Sequence, residues 1–145
     1  MNIRNFKQFI NENQSKSLES IFSSKELELK INDYIEFIKS NSVNGKLKIY
    51  RGVDTKEVLS GEDVEYFSNT YSLKLDIAKG YGNTIISGYV LLDDVDWDWM
   101  IERLCQKIEF YINDGEDMNL PFKDIDFEYE VTPISDTKVF DKKVL

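Results

Sequence analysis

Three short pieces of this 145-residue chain carry side chains able to do chemistry together. The first is Ile49-Tyr50-Arg51-Gly52, an arginine near the end of a strand-like run, followed by glycine. Its guanidinium is a planar, permanently charged fork that matches phosphate or carboxylate oxygens. The second is Phe67-Ser68-Asn69-Thr70-Tyr71-Ser72, a hydroxyl cluster with Ala78 six residues beyond its end. The third is Glu128-Tyr129-Glu130-Val131, two carboxylates at i and i+2 with Pro133 close behind. Strand alternation predicts Glu128 and Glu130 on one face, about 6.5–7 Å apart, with Phe127, Tyr129 and Val131 free to pack on the core. Taken singly, each piece has a plain structural use. A strand-end arginine is usually a surface residue, hydroxyl clusters cap turns, and Glu-x-Glu in an acidic chain is a solvated strand face. Their order along the chain makes one constellation of them.

The rest of the composition narrows what that constellation can do. The chain has no histidine and one cysteine, Cys105. This excludes Ser-His triads, Cys-His dyads, histidine-ligated metals and an internal disulfide. Any catalysis must run on carboxylates, hydroxyls, tyrosines, lysines or arginines, and no metal is implied. The 27 acidic residues outweigh 18 basic ones, for a net charge of −9. A phosphate backbone would be repelled by that average, so no direct nucleic-acid partner is expected, whereas an arginine-rich protein would be attracted. No apolar run is long enough to span a membrane, so no membrane partner is expected.

The elements that must position these residues follow from periodicity. Leu27, Ile31, Tyr34, Ile35 and Ile38 repeat at helical spacing within 25–40, with Ser23 or Ser24 as its cap. Asn44-Gly45 is a turn signal, and residues 47–53 read as a strand. Leu73, Ile77 and Tyr81 mark one face of a short helix stopped by Gly80 and Gly82. Residues 84–92 form a β-branched strand. A helix over 99–112 puts Met100, Leu104 and Ile108 on one side, and Cys105 lies on its apolar face as an inert thiol. Residues 113–117 turn, 126–134 read as a strand, and 139–145 as a last strand. Trp97 and Trp99 read as core or rim residues. The order is that of an α+β domain, not a regular βαβ series.

With the elements in place, the three pieces resemble the Arg, Ser-Thr-Ser and Glu-x-Glu signature of mono-ADP-ribosyltransferases, over residues of about 25–140. The resemblance implies a split β core of two facing sheets with helices packed around it, and NAD as a substrate. In that family the arginine, here Arg51, holds NAD phosphate and braces the site, and the backbone matching Gly52 grips the nicotinamide amide. Two alignments of the hydroxyl motif compete. Thr70-Tyr71-Ser72 keeps the spacing to Ala78, while Ser68-Asn69-Thr70 directly follows the aromatic Phe67. Glu130 matches the catalytic glutamate, which stabilises an oxocarbenium-like transition state. Glu128 matches the position that orients an incoming arginine side chain. Tyr81 and Tyr129 are candidates for stacking on nicotinamide or acceptor, or for packing. The implied activity is transfer of ADP-ribose from NAD to a protein side chain, arginine by this match, with release of nicotinamide.

Residues 1–12 resemble the capsid-targeting peptides of internal head proteins of large tailed bacteriophages, with Phe6 and Phe9 as the spaced aromatics and Ile10-Asn11-Glu12 as the protease site. A short amphipathic helix built on Ile3, Phe6, Phe9 and Ile10 is the plain alternative. The division expected is a cleaved peptide at 1–12, a linker at 13–24 and the transferase-like domain at 25–145. The setting implied is the host cytoplasm, after packaging in the virion head and injection to modify host proteins. Against this stands a non-enzymatic acidic phage internal protein, or an inhibitor of a host protein, on the same fold. A glycoside hydrolase is disfavoured, because its carboxylates must flank a sugar bond from opposite sides.

Overall fold

The computed structural model describes residues 18, 21–54, 70–117, 119–125 and 128–145. The chain divides into two compact units, one from residues 1–38 and 97–127, the other from 39–96 and 128–145. The peptide read at 1–12 and the candidate Ser68 lie outside the described residues.

The first unit is helical. Helix α1 (Ser24–Ser40) buries the predicted stripe of Leu27, Ile31, Tyr34, Ile35 and Ile38. Ser23 caps it, its hydroxyl accepting from the Glu26 amide at 3.1 Å, which satisfies one of the open donors of the first turn. Leu18 and Phe22, inside the stretch read as linker, are buried. Phe22 meets Phe122 edge to face, with ring centroids 6.1 Å apart. Phe122 belongs to the one-turn helix α4 (Phe122–Ile125). The long helix α3 (Trp97–Asn113) buries Met100, Leu104 and Ile108 as expected, together with Trp97, Ile101 and Cys105. Trp99 is exposed at the rim. Burial, with Glu109 and Glu102 nearby, pushes the Cys105 thiol up to about 12, which keeps it protonated and unreactive at neutral pH. No helix of the described residues is long and apolar enough to cross a membrane.

The second unit is built on one antiparallel sheet of five strands: β1 (Lys46–Val53), β2 (Tyr71–Ser72), β3 (Thr84–Leu91), β4 (Glu130–Val131) and β5 (Phe140–Val144), in the order β4-β2-β1-β3-β5. Asn44 and Gly45 both take positive φ, 55° and 76°, in the tight turn that leads into β1. Strand β1 pairs with β3 along its whole length, from Lys46↔Leu91 to Val53↔Thr84. Its alternation gives the sheet two distinct faces. Leu47, Ile49, Arg51 and Val53 are buried on one; Lys46, Lys48, Tyr50 and Gly52 lie on the other.

The architecture is therefore α+β, with the strands of the described residues in a single sheet; a second, facing sheet is not among them. An isolated bridge, Val95↔Pro133, ties the chain after β3 to the chain after β4.

Two local expectations need correction. The helix around residues 73–81 is the one-turn α2 (Leu75–Ala78), and it buries Ala78 instead of the Leu73, Ile77 and Tyr81 stripe. Tyr81 is 62% exposed. The reason is close packing: a Cβ on Gly52 would collide with the Ala78 carbonyl oxygen, and one on Gly82 with the backbone of Val53. The end of α2 thus lies against β1 through backbone, which selects the smallest residues and turns the larger ones away. The second correction concerns 126–134. Among its described residues, 128–134, the strand is confined to Glu130 and Val131, because Tyr129 sits at φ 51° in the left-handed region. A left-handed residue breaks the two-residue alternation, so Glu128 and Glu130 are not successive same-face residues of one strand.

Candidate functional site

Sheet order brings the three motif segments together. β2 lies between β1 and β4, so the arginine, hydroxyl and glutamate strands are neighbours although 79 residues separate Arg51 from Glu130. Ser72 is the cross-strand partner of both Tyr50 and Glu130. Directly opposed residues of an antiparallel pair share a face. Tyr50, Ser72 and Glu130 therefore form a row on one face, and Arg51, Tyr71 and Val131 belong to the other.

On the Glu130 face, Ser72 is the organising hydroxyl. It is buried, donates to the Glu128 carbonyl at 2.8 Å and accepts from the Lys74 amide at 3.1 Å. The Leu73 amide donates to the Tyr129 carbonyl at 3.0 Å. The Lys74 ammonium stands 4.0 Å from the centre of the Tyr129 ring. These contacts hold the left-handed Tyr129, a conformation a bulky residue keeps only when its surroundings over-determine it. The side chain of Glu128 is held from another direction: the Tyr81 hydroxyl donates to its Oε1 at 2.5 Å. Glu128, Tyr129 and Glu130 are all half-exposed. Thr70, the first hydroxyl of the Thr70-Tyr71-Ser72 alignment, stands 3.5 Å from the hydroxyl of Thr132. Ser72 thus reaches the Glu128–Glu130 segment directly.

On the opposite face Arg51 enters a buried polar cluster. It is 9% exposed, its guanidinium lies 5.6 Å from the Tyr71 ring centre, and it hydrogen-bonds the Tyr71 hydroxyl. Tyr71 in turn donates a short hydrogen bond to Asp136, which also pairs with Lys142 at 2.5 Å. Burial and the Asp136 carboxylate raise the Tyr71 phenol well above its usual range, against the opposing pull of Arg51. Asp136 feels burial most strongly, which would raise it, but hydrogen bonds from Lys142 and Tyr71 and the charges of Lys142 and Arg51 together hold it below the usual carboxylate range.

Both shifts have consequences for stability. The lowered Asp136 contributes stability that is present above its unfolded value and lost as pH falls through its folded one. The raised Tyr71 contributes stability that is intact below about pH 10, the value of an unfolded tyrosine, and declines as pH rises beyond it. Tyr71→Phe is expected to flatten the decline in melting temperature between about pH 10 and pH 11, relative to wild type. Parallel slopes for the two proteins would mean that Tyr71 has no such linkage.

Gly52 has a structural use that its motif position did not suggest: the room its hydrogen leaves is filled by the carbonyl of Ala78. Residues that motif reading passed over are Asp136, Lys142, Thr132 and the partner role of Tyr81. The first three sit in ordinary turn and strand contexts, and only the fold brings them beside the motif strands. Among the described residues no group of three or more Cys, Asp or Glu residues is placed to hold a metal ion. No protein-family model, no curated protein and no solved structure matches the chain.

Proposed function

We propose that the second unit is an NAD-consuming glycosyltransferase site, centred on the row Ser72–Glu130 and the neighbouring Glu128. More narrowly, we read it as a mono-ADP-ribosyltransferase that moves ADP-ribose to an arginine side chain. The observation that carries this reading is the adjacency of the three motif strands, with Ser72 in register with Glu130. The finer architecture of two facing sheets, and delivery from a virion head into a host, belong to the same proposal.

The chemistry follows from the carboxylates. The bond between the nicotinamide nitrogen and the ribose C1′ breaks, and nicotinamide leaves with the electron pair. Positive charge develops on the ribose. Glu130 hydrogen-bonds the 2′-hydroxyl and stabilises that charge. A guanidinium nitrogen of the acceptor forms the new bond to C1′ and gives up a proton, for which the Glu128 carboxylate is the nearby acceptor. Arg51 takes the bracing part of its motif role: buried with Tyr71 and Asp136, it supports the sheet from the face opposite Glu130.

That same burial favours a second reading, a fold of this type that binds a host protein without turnover. Labelled NAD incubated with wild type and a host lysate separates the two. Labelled protein and released nicotinamide support the transferase; neither product, from folded protein, supports the inhibitor. With agmatine as an arginine substitute, Glu128→Gln is expected to keep NAD hydrolysis and lose transfer. Tyr81→Phe, which removes one hydrogen bond to a charged group, is expected to lower transfer about tenfold and leave hydrolysis unchanged. Equal transfer by Tyr81→Phe and wild type would show that the Tyr81 contact does not orient Glu128.

A further inference from the structure

Arg51, the cation the motif reading assigns to the NAD phosphates, lies on the face opposite Glu130. The sheet register supplies another. Glu130, Ser72, Tyr50, Ser87 and Lys143 lie in one row across all five strands. The adjacent row contains Lys48, Tyr89 and Phe140, and Lys46 follows it on β1. These side chains are interleaved. The Lys48 ammonium stands 5.8 Å from the Tyr50 ring centre and 5.9 Å from that of Tyr89. Lys46 stands 4.7 Å from the Tyr89 ring centre, and the Tyr89 and Phe140 rings are 6.0 Å apart at an interplanar angle of 30°.

In a chain of net charge −9, this face gathers three lysines among three half-exposed aromatic rings, and within these rows the one carboxylate is Glu130 at the far edge. Such a surface attracts a ligand that is both anionic and aromatic, through local charge and stacking on π faces. Its geometry also suits the length of the ligand. β1 is two strands from β4, roughly 10 Å at the usual strand spacing, and β3 and β5 lie one and two strands further on.

Resting on the transferase reading, we propose that NAD lies across this face, perpendicular to the strands. The nicotinamide ribose is at Glu130, the pyrophosphate is over Tyr50 with Lys48 as its cation in place of Arg51, and the adenine is on Tyr89 and Phe140. Lys48 is exposed, so its replacement leaves the core untouched.

The test is the steady-state kinetics of nicotinamide release by the full chain. Lys48→Ala is expected to raise KM for NAD about tenfold, the scale of one charge-assisted phosphate contact, with kcat within twofold of wild type. Lys48→Arg is expected to restore the wild-type KM, and Tyr89→Ala to raise KM without a loss of kcat. Raised ionic strength should weaken NAD binding by wild type more than by Lys48→Ala. Wild-type cleavage with an unchanged KM in Lys48→Ala overturns this placement and leaves the transferase reading standing. Absence of NAD cleavage by wild type overturns both.

Discussion

On the transferase reading, Glu130→Gln lowers nicotinamide release from NAD by about 10²–10³-fold while NAD affinity changes little. The substitution keeps the size and one hydrogen-bonding oxygen of the side chain, but removes the charge that stabilises the ribosyl cation. The ground state carries that developing charge only weakly, so the loss falls on kcat and not on KM. Glu130 is half-exposed at the edge of the sheet, its backbone pairs with Ser72, and Gln keeps the volume of its side chain. The variant should therefore melt close to wild type. The assay is single-turnover nicotinamide release at saturating NAD, with the melting curve as the control for folding. A variant as active as wild type would remove Glu130 from the chemistry and with it the central assignment of the site.

Gly52→Ala produces the largest expected change in stability, a loss of about 3 kcal/mol, at the upper end of ordinary overpacking costs. The reason is the identity of the neighbours. The added methyl would meet the Ala78 carbonyl oxygen and the Gly82 amide nitrogen, and backbone has no alternative rotamer through which to escape. Relief requires α2 to move off β1, which would also displace Tyr81 from Glu128. Gly45→Ala is the useful contrast: a Cβ there meets nothing within 4 Å, but φ is +76°, so the cost is conformational and about 1 kcal/mol. Urea unfolding of the three proteins checks both values. Equal midpoints for Gly52→Ala and Gly45→Ala would mean that α2 does not press on β1.

These two residues also mark the limit of what spacing can tell. Gly52 draws attention as the residue after Arg51, a place where backbone can approach a ligand. In the fold its missing side chain makes room for another part of the same chain. A glycine records that something comes close, but not what.

Elements with a long, regular period were legible from sequence. The stripe from Leu27 to Ile38 and that from Met100 to Ile108 each repeat over several turns, and burial of an apolar stripe is nearly independent of what covers it. Strands β1 and β3 were legible for the same reason, through alternation and β-branching. Ser23 and the Asn44-Gly45 turn were legible because caps and left-handed turns are decided within a few residues.

The segment from Asp126 to Ile134 alternates as regularly as β1 does, yet among its described residues a strand forms over Glu130–Val131, with an isolated bridge at Pro133. There, tertiary hydrogen bonds from Ser72 and the Leu73 amide hold Tyr129 left-handed and override the local pattern. The facing of Arg51 was equally beyond the sequence. Which side of a strand looks toward Glu130 is set by the register with β2 and β4, which a one-residue shift would reverse. The chemistry available to this protein, carboxylates and hydroxyls without histidine or a disulfide, was determined by composition alone. Which of those groups share a face was decided only when strands distant in sequence were laid side by side.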